Sequence, residues 1–176
     1  MAQPFVRPAR RADVADIARI QRDTWETAYG RWLPPAVLER ATLDVIGSHW
    51  TAAVTSPSPD HHVLVATEGE WTVGFGALGP SPDDDGGDTT GQILTLLVEP
   101  RWGRRGHGSR LLAACTDLLR EAGARTATTW LYDRDRDSQK FYAEAGWAAD
   151  GAARGLDAGG REIRELRMHA SLLPAG

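Results

Sequence analysis

The chain has 176 residues, 41% of them hydrophobic, and a formal net charge of −4 at neutral pH. That is the size of one ordinary domain with enough apolar mass for a core, and the acidic balance disfavours a nucleic-acid groove or an anionic membrane surface as partner. Cys115 is the single cysteine, which excludes an intrachain disulfide framework or a cysteine-based zinc site.

Phe5 and Val6 open a first strand. Asp13 predicts an N-cap, with Asp16 three residues on, and Val14, Ile17, Ala18 and Ile20 give helical spacing to about Tyr29. Pro34 and Pro35 suit the first turn of a short helix through Arg40. Leu43 to Val54 predicts a third helix, with Ile46, Trp50 and Val54 on a shared side. His62 to Thr67 and Trp71 to Leu78 read as a hairpin turned at Glu68, Gly69 and Glu70. Gly74 and Gly76 weaken the second of these strands and mark a bulge or a close backbone approach. Pro80 to Gly91 (PSPDDDGGDTTG) predicts a mobile acidic loop.

Ile93 to Val98 is an almost wholly apolar run that reads as a buried strand. Glu99 to His107 is a turn dense in Pro, Gly and Arg. From Gly108 on, Leu111, Leu112, Cys115, Leu118 and Leu119 recur at helical spacing, which makes Cys115 a packed core thiol in preference to a nucleophile. Ala124 to Tyr132 predicts a strand and Asp133 to Asp137 a turn. Ser138 is expected to cap a short helix bearing Phe141, Tyr142 and Ala145, ended by Gly146. Trp147 onward and Glu162 to His169 are the last strands, separated by a turn at Asp157 to Gly160. This order predicts an α/β (α+β) fold, a mixed sheet of six or seven strands with helices on both faces. The strand–helix–strand unit around Gly108 should be a crossover between parallel strands.

The chemistry concentrates in Gln92 to Leu119. A strand, a glycine-rich turn and a helix start aim backbone N–H groups and a positive helix end at one point, which makes an anion site. The turn lacks the Gly-Lys-Ser/Thr ending of a P-loop, and its strand is not the first in the chain. His61 and His62 are strand neighbours pointing to opposite faces, a poor chelate, and Asp83, Asp84, Asp85 and Asp88 lack the pattern of a calcium loop. No metal site is expected.

ILTLLVEP followed by RRGHGSRLL resembles the acyl-CoA-binding motif of the GCN5-related N-acetyltransferase (GNAT) superfamily, Gln/Arg-x-x-Gly-x-Gly/Ala after a strand. TTWLYDRDRDSQKFYAEAGW is similar to the family's second element, and TWETAYGRWLPPAVLE resembles a segment of many bacterial members. The resemblance covers residues 5–172 and implies one N-acetyltransferase domain that binds acetyl-CoA, needs no metal, and passes the acetyl group to a primary amine by direct attack.

The resemblance implies roles residue by residue. Gly103, Arg104, Arg105, Gly106, His107, Gly108 and Ser109 would hold the pyrophosphate, the two arginines adding charge-assisted contacts. Leu96, Leu97 and Val98 would pair with the pantetheine arm, the Val98 N–H facing the thioester oxygen. Tyr142 would be the general acid and also touch the cofactor, as would Asp135. Trp25, Tyr29 and Trp32 would wall the acceptor pocket.

Three positions depart from the family pattern. Gly103 stands where Gln or Arg is usual, and Asp135 where Asn is usual. Gln92 replaces a Glu that serves several members as general base, which leaves Glu26, Asp133, Glu99 or a water chain to take the proton. These departures motivate the rival reading, a non-catalytic acyl-CoA-binding module. Without an apolar span or a leader-like N-terminus, the expected setting is the cytoplasm, with no nucleic-acid or membrane partner. A homodimer is compatible with the sequence, which does not choose an assembly.

Overall fold

The computed structural model describes residues 4–173. Seven strands form one sheet in the order β1-β2-β3-β4-β5-β7-β6. They are β1 Pro4–Pro8, β2 His62–Glu68, β3 Trp71–Pro80, β4 Thr90–Val98, β5 Thr126–Tyr132, β6 Ala148–Asp157 and β7 Glu162–Ser171. Five α-helices accompany them among the described residues: α1 Val14–Thr24, α2 Pro35–Arg40, α3 Leu43–Thr55, α4 His107–Glu121 and α5 Arg136–Glu144. β4 and β5 are the parallel pair and every other pairing is antiparallel. None of the helices is long and apolar enough to cross a membrane.

Each sheet face carries its own core. On one, Leu111, Leu112, Cys115 and Leu119 of α4 pack against Leu64, Val73, Leu78 and Ile93, with Tyr142 and Trp147 behind. On the other, Ile17 and Ile20 of α1 and Ile46 and Trp50 of α3 meet Val65, Phe75 and Ala77. Full burial of each Leu or Ile contributes about 1.5–3 kcal/mol, so the period-3.6 stripes of α1 and α4 fix which way each helix faces. Gly74 and Gly76 let neighbours close in. A Cβ on Gly74 would stand 2.8 Å from the Leu97 carbonyl oxygen, and one on Gly76 3.1 Å from Cys115 Sγ.

Four local expectations change. The first helix does not run regularly to Tyr29. It widens to a π-helical turn over Trp25–Tyr29, where the i→i+5 bonding departs from the regular helical spacing. Asp13 does not cap α1. Its carboxylate turns back to accept from Arg7 at 2.7 and 2.8 Å and from the Arg10 N–H at 2.7 Å. The cap of α5 is Asp135 rather than Ser138, because the Asp135 carboxylate accepts the Ser138 N–H at 3.0 Å. The acidic loop is tied down. Asp83 accepts from Trp130 Nε1 at 3.0 Å, and Asp83, Asp85 and Asp150 all pair with Arg167.

The site is positioned by a fork. β4 and β5 pair only from Thr90 opposite Thr126 to Gln92 opposite Thr128, and then separate. A bulge sharpens the bend: Ala77 faces Thr95 but Leu78 faces Ile93, leaving Leu94 without a partner on β3.

Candidate active site

The fork opens into a cleft of about 880 Å³ that reaches from the α4 N-terminus to the far ends of β5 and β7. Its phosphate-sized end is backbone. Gly106 adopts φ +80° at the N-cap of α4, and Arg104 before it is also left-handed at φ +59°. The first helical bond runs from the Arg110 N–H to the Gly106 oxygen at 3.1 Å. The N–H groups of His107, Gly108 and Ser109 therefore have no carbonyl within the helix to donate to, and they face the cleft with the positive helix end. Gly108 is held bare by its neighbour, since a Cβ there would stand 3.3 Å from the Phe141 ring.

The middle of the cleft is the free edge of β4. Glu99 donates its N–H to the Val73 oxygen at 2.9 Å, which makes Gly74–Val98 a non-hydrogen-bonded pair of the β3–β4 ladder. The N–H and C=O of Val98 and, one pleat back, of Leu96 consequently point away from β3 into the fork. Leu97, by contrast, spends its backbone groups on β3 and sends its side chain to the α1 face. Across the fork the Thr129 hydroxyl donates to the Ile93 oxygen at 2.9 Å.

Tyr142 closes this middle section. It is 3% exposed and lines the cleft, with Trp147 and Phe141 edge-on at 5.0 and 5.3 Å. Burial pushes its phenol above the ordinary value, opposed in part by the Thr129 hydroxyl. Cys115 is fully buried and its thiol is pushed up to about 12 by burial, so it is core and not a nucleophile.

The expected site residues do not all converge. Leu96, Leu97, Val98, Gly103, Arg104, Gly106, His107, Gly108, Ser109, Asp135, Tyr142, Trp25 and Tyr29 line the cleft. Arg105 and Trp32 do not. Arg105 lies 4.9 Å over the Trp102 ring and reaches Glu68 at 3.3 Å, so the carboxylate of β2 draws it outward. Trp32 packs on Tyr29 and Tyr132 and lines a separate recess of about 90 Å³. The His107 side chain is buried against Glu68, Nε2 to Oε2 at 2.8 Å, which leaves only its backbone for a ligand. Asp135 has both oxygens occupied: Oδ1 by the Ser138 N–H, Oδ2 by the hydroxyls of Ser138 and Tyr29.

None of the three carboxylates named as proton acceptors lines the cleft. Glu99 is paired with Arg19 at 3.2 Å and Arg101 at 2.5 Å, Glu26 is exposed beside Arg22 at 2.8 Å, and Asp133 borders the small recess. The cleft instead gains Leu94, Trp102, Trp130, Tyr132 and Glu165. Their presence follows from strand register and the bulge, which single-residue patterns do not carry.

A family model for the acetyltransferase (GNAT) family matches residues 15–147. The chain belongs to the acetyltransferase (GNAT) family. Among its relatives, mycothiol acetyltransferase of Kineococcus radiotolerans is 38% identical over 84 residues, 48% of this chain and 26% of that protein. The N-acetyltransferase YuaI of Bacillus subtilis, itself uncharacterized, is 27% identical over 131 residues, 74% of this chain and 72% of that protein. The fold is that of solved GNAT proteins. YncA of Salmonella typhimurium, solved with its cofactor acetyl-CoA, superimposes with a TM-score of 0.75 at 20% identity, covering 99% of this chain and 97% of that one. PaiA N-acetyltransferase of Thermoplasma acidophilum, solved with coenzyme A, gives 0.73 at 14% identity, covering 96% and 99%. The seven-stranded mixed sheet with helices on both faces is therefore the GNAT arrangement, as expected from the motif at Gly106 and Gly108.

Proposed function

We propose that this single GNAT domain, spanning residues 5–172, is an N-acetyltransferase that moves an acetyl group from acetyl-CoA to a primary amine by direct attack. The observation that carries it is a bare helix N-terminus at one end of the cleft continued by a free β4 edge along its middle. A pyrophosphate fits the N–H groups of His107, Gly108 and Ser109 together with the Arg104 guanidinium. An extended amide-bearing arm fits the Leu96 and Val98 edge as an added strand.

In this reading the Val98 N–H meets the thioester oxygen as negative charge grows there. One preorganised donor of this kind is worth about 2.7–4 kcal/mol. The amine nitrogen forms the C–N bond, the C–S bond breaks, and its electrons leave on sulfur. Tyr142, kept protonated by burial, donates a proton to the departing thiolate. Gln92 is buried and Glu26, Glu99 and Asp133 lie outside the cleft, so none of these takes the proton that the ammonium loses; it leaves through the groups and water of the cleft itself. An acidic chain of this charge suits a cationic acceptor and disfavours nucleic-acid or anionic-membrane partners; the setting we propose is the cytoplasm.

The test is thiol release from acetyl-CoA across a panel of amines, with calorimetric CoA binding measured alongside. Amine-dependent release supports the enzyme. Saturable CoA binding without release on any amine supports the binding module, the reading that Gly103 and Gln92 motivate.

A further inference from the structure

Four carboxylates line the cleft among the described residues: Asp135, Asp137, Glu144 and Glu165. Asp137 and Glu144 are exposed on α5. Asp135 is buried and already has a partner on each oxygen. Glu165, on β7, has a side chain only 13% exposed, and a single partner, Arg154, whose Nε donates to Oε2 at 2.7 Å. Oε1 has no hydrogen-bond partner among the described residues.

The register places Glu165 at the acceptor side. Tyr132 of β5 and Arg154 of β6 both stand directly opposite it, so the three side chains share one face. That face is opposite the one occupied by α4 and α5, because neighbouring Leu131 and Met168 go to the α4 core. Tyr132 meets Tyr29 edge-on at 5.0 Å, which brings the π-helical turn over the same end of the cleft. Trp25, Tyr29, Leu94, Trp130 and Tyr132 wall it.

The ion pairs around Trp130 carry an acidic excess. Glu165, Asp83, Asp85 and Asp150 are four carboxylates served by two guanidiniums, Arg154 and Arg167. A half-buried carboxylate with one free oxygen, set among aromatic walls in a negative field, is complementary to a cation on an apolar body.

We propose that Glu165 receives the ammonium of the acceptor, and that the acceptor is a primary amine carried on an aromatic or branched apolar body. Glu165 is thus the specificity-determining residue of the acceptor end. Arg154 restrains it: the guanidinium lies 4.3 Å over the Trp130 ring, holds Oε2, and offsets part of the charge an acceptor would feel.

This rests on the amine-acetylation reading, and the experiment separates the two. The full chain, saturated with CoA, is titrated calorimetrically with phenethylammonium, a primary ammonium that CoA, having no acetyl group, cannot acetylate, and with neutral 2-phenylethanol. The wild type is expected to prefer the cation. Glu165→Gln is expected to weaken cation binding about tenfold or more, with CoA affinity and the weak alcohol binding unchanged. Arg154→Met is expected to tighten cation binding, a gain that a merely structural pair would not produce. Equal cation affinity in wild type and Glu165→Gln, or no preference of the wild type for the cation over the alcohol, overturns the proposal. Failure of amine-dependent thiol release with intact cation binding would instead overturn the enzymatic reading alone.

Discussion

The Tyr29 hydroxyl donates to Asp135 Oδ2 at 2.9 Å across 106 positions of sequence. It ties the π-helical turn over the acceptor end to the N-cap of the helix that carries Tyr142. Asp135→Ala removes the cap and leaves the part-buried Tyr29 hydroxyl without its acceptor, and is expected to cost about 1–3 kcal/mol of stability. Tyr29→Phe leaves the cap intact and should cost less. Urea unfolding of both single variants and the double variant reads the coupling, expected to be at least about 0.5 kcal/mol. Strict additivity would show that the contact does not bind the two elements together.

Tyr142→Phe keeps the ring that packs on Trp147 and removes only the hydroxyl. Turnover should fall about 10²-fold, the usual worth of general acid catalysis. CoA affinity should not change. Unchanged turnover would remove Tyr142 as the acid.

Gly106→Ala puts a Cβ at φ +80°, where an L-residue is disfavoured by about 1–2 kcal/mol. The crowding partner is only the flexible Arg110 guanidinium at 3.1 Å, so the strain lies in the backbone of the N–H cradle. CoA binding should weaken. Gly108→Trp, already against Phe141 at its Cβ, should abolish it. Normal CoA affinity in Gly108→Trp would refute the cradle.

All three tyrosines are held protonated by the fold: burial pushes up Tyr29, Tyr142 and, to about 12, Tyr132, with the carboxylates of Asp135 and Glu165 adding to the first and last. An unfolded tyrosine ionises near ~10. Below that pH both states keep their protons and the contribution is constant. Above it the unfolded chain holds fewer protons than the native one, so stability falls as pH rises. Absorbance at ~295 nm should show little phenolate until unfolding, then all three together. A phenolate titrating near ~10 in the folded protein would contradict the burial assigned to it.

Arg167 gathers Asp83 and Asp85 of the loop with Asp150 of β6. Arg167→Leu leaves these carboxylates facing one another, and amide exchange across residues 81–89 should accelerate while α4 remains protected. Equal loop exchange in both proteins would show that other contacts anchor it.

The sequence made the strand–turn–helix of Gln92 to Leu119 readable because each part has its own period and the turn its own residues. The α1 and α4 stripes were readable for the same reason. Glu165 was not. Its membership in the cleft depends on standing opposite Tyr132, a register between strands whose own alternation is imperfect. Arg105 stands outside the cleft lining because one carboxylate 37 positions earlier, Glu68, competes for it. Trp32 lines the smaller recess instead of the cleft; it follows the π-helical turn, whose i→i+5 widening shifts later side chains around the axis relative to regular helical spacing.

The fork between β4 and β5 has a thermodynamic consequence. Leu96 and Val98 form an edge in the interior of the sheet, with donors and acceptors that no strand among the described residues satisfies. A cleft admits one narrow extended chain and excludes a second sheet, so this edge is shielded from the edge-to-edge association that open strands invite. Whatever fills it acts as the missing strand. Because the occupant binds only the folded form, saturation at a hundred times its dissociation constant adds about 2.7 kcal/mol against unfolding. The resistance of this protein to unfolding is then set in part by the abundance of its acyl donor, and the fold itself reads out donor supply.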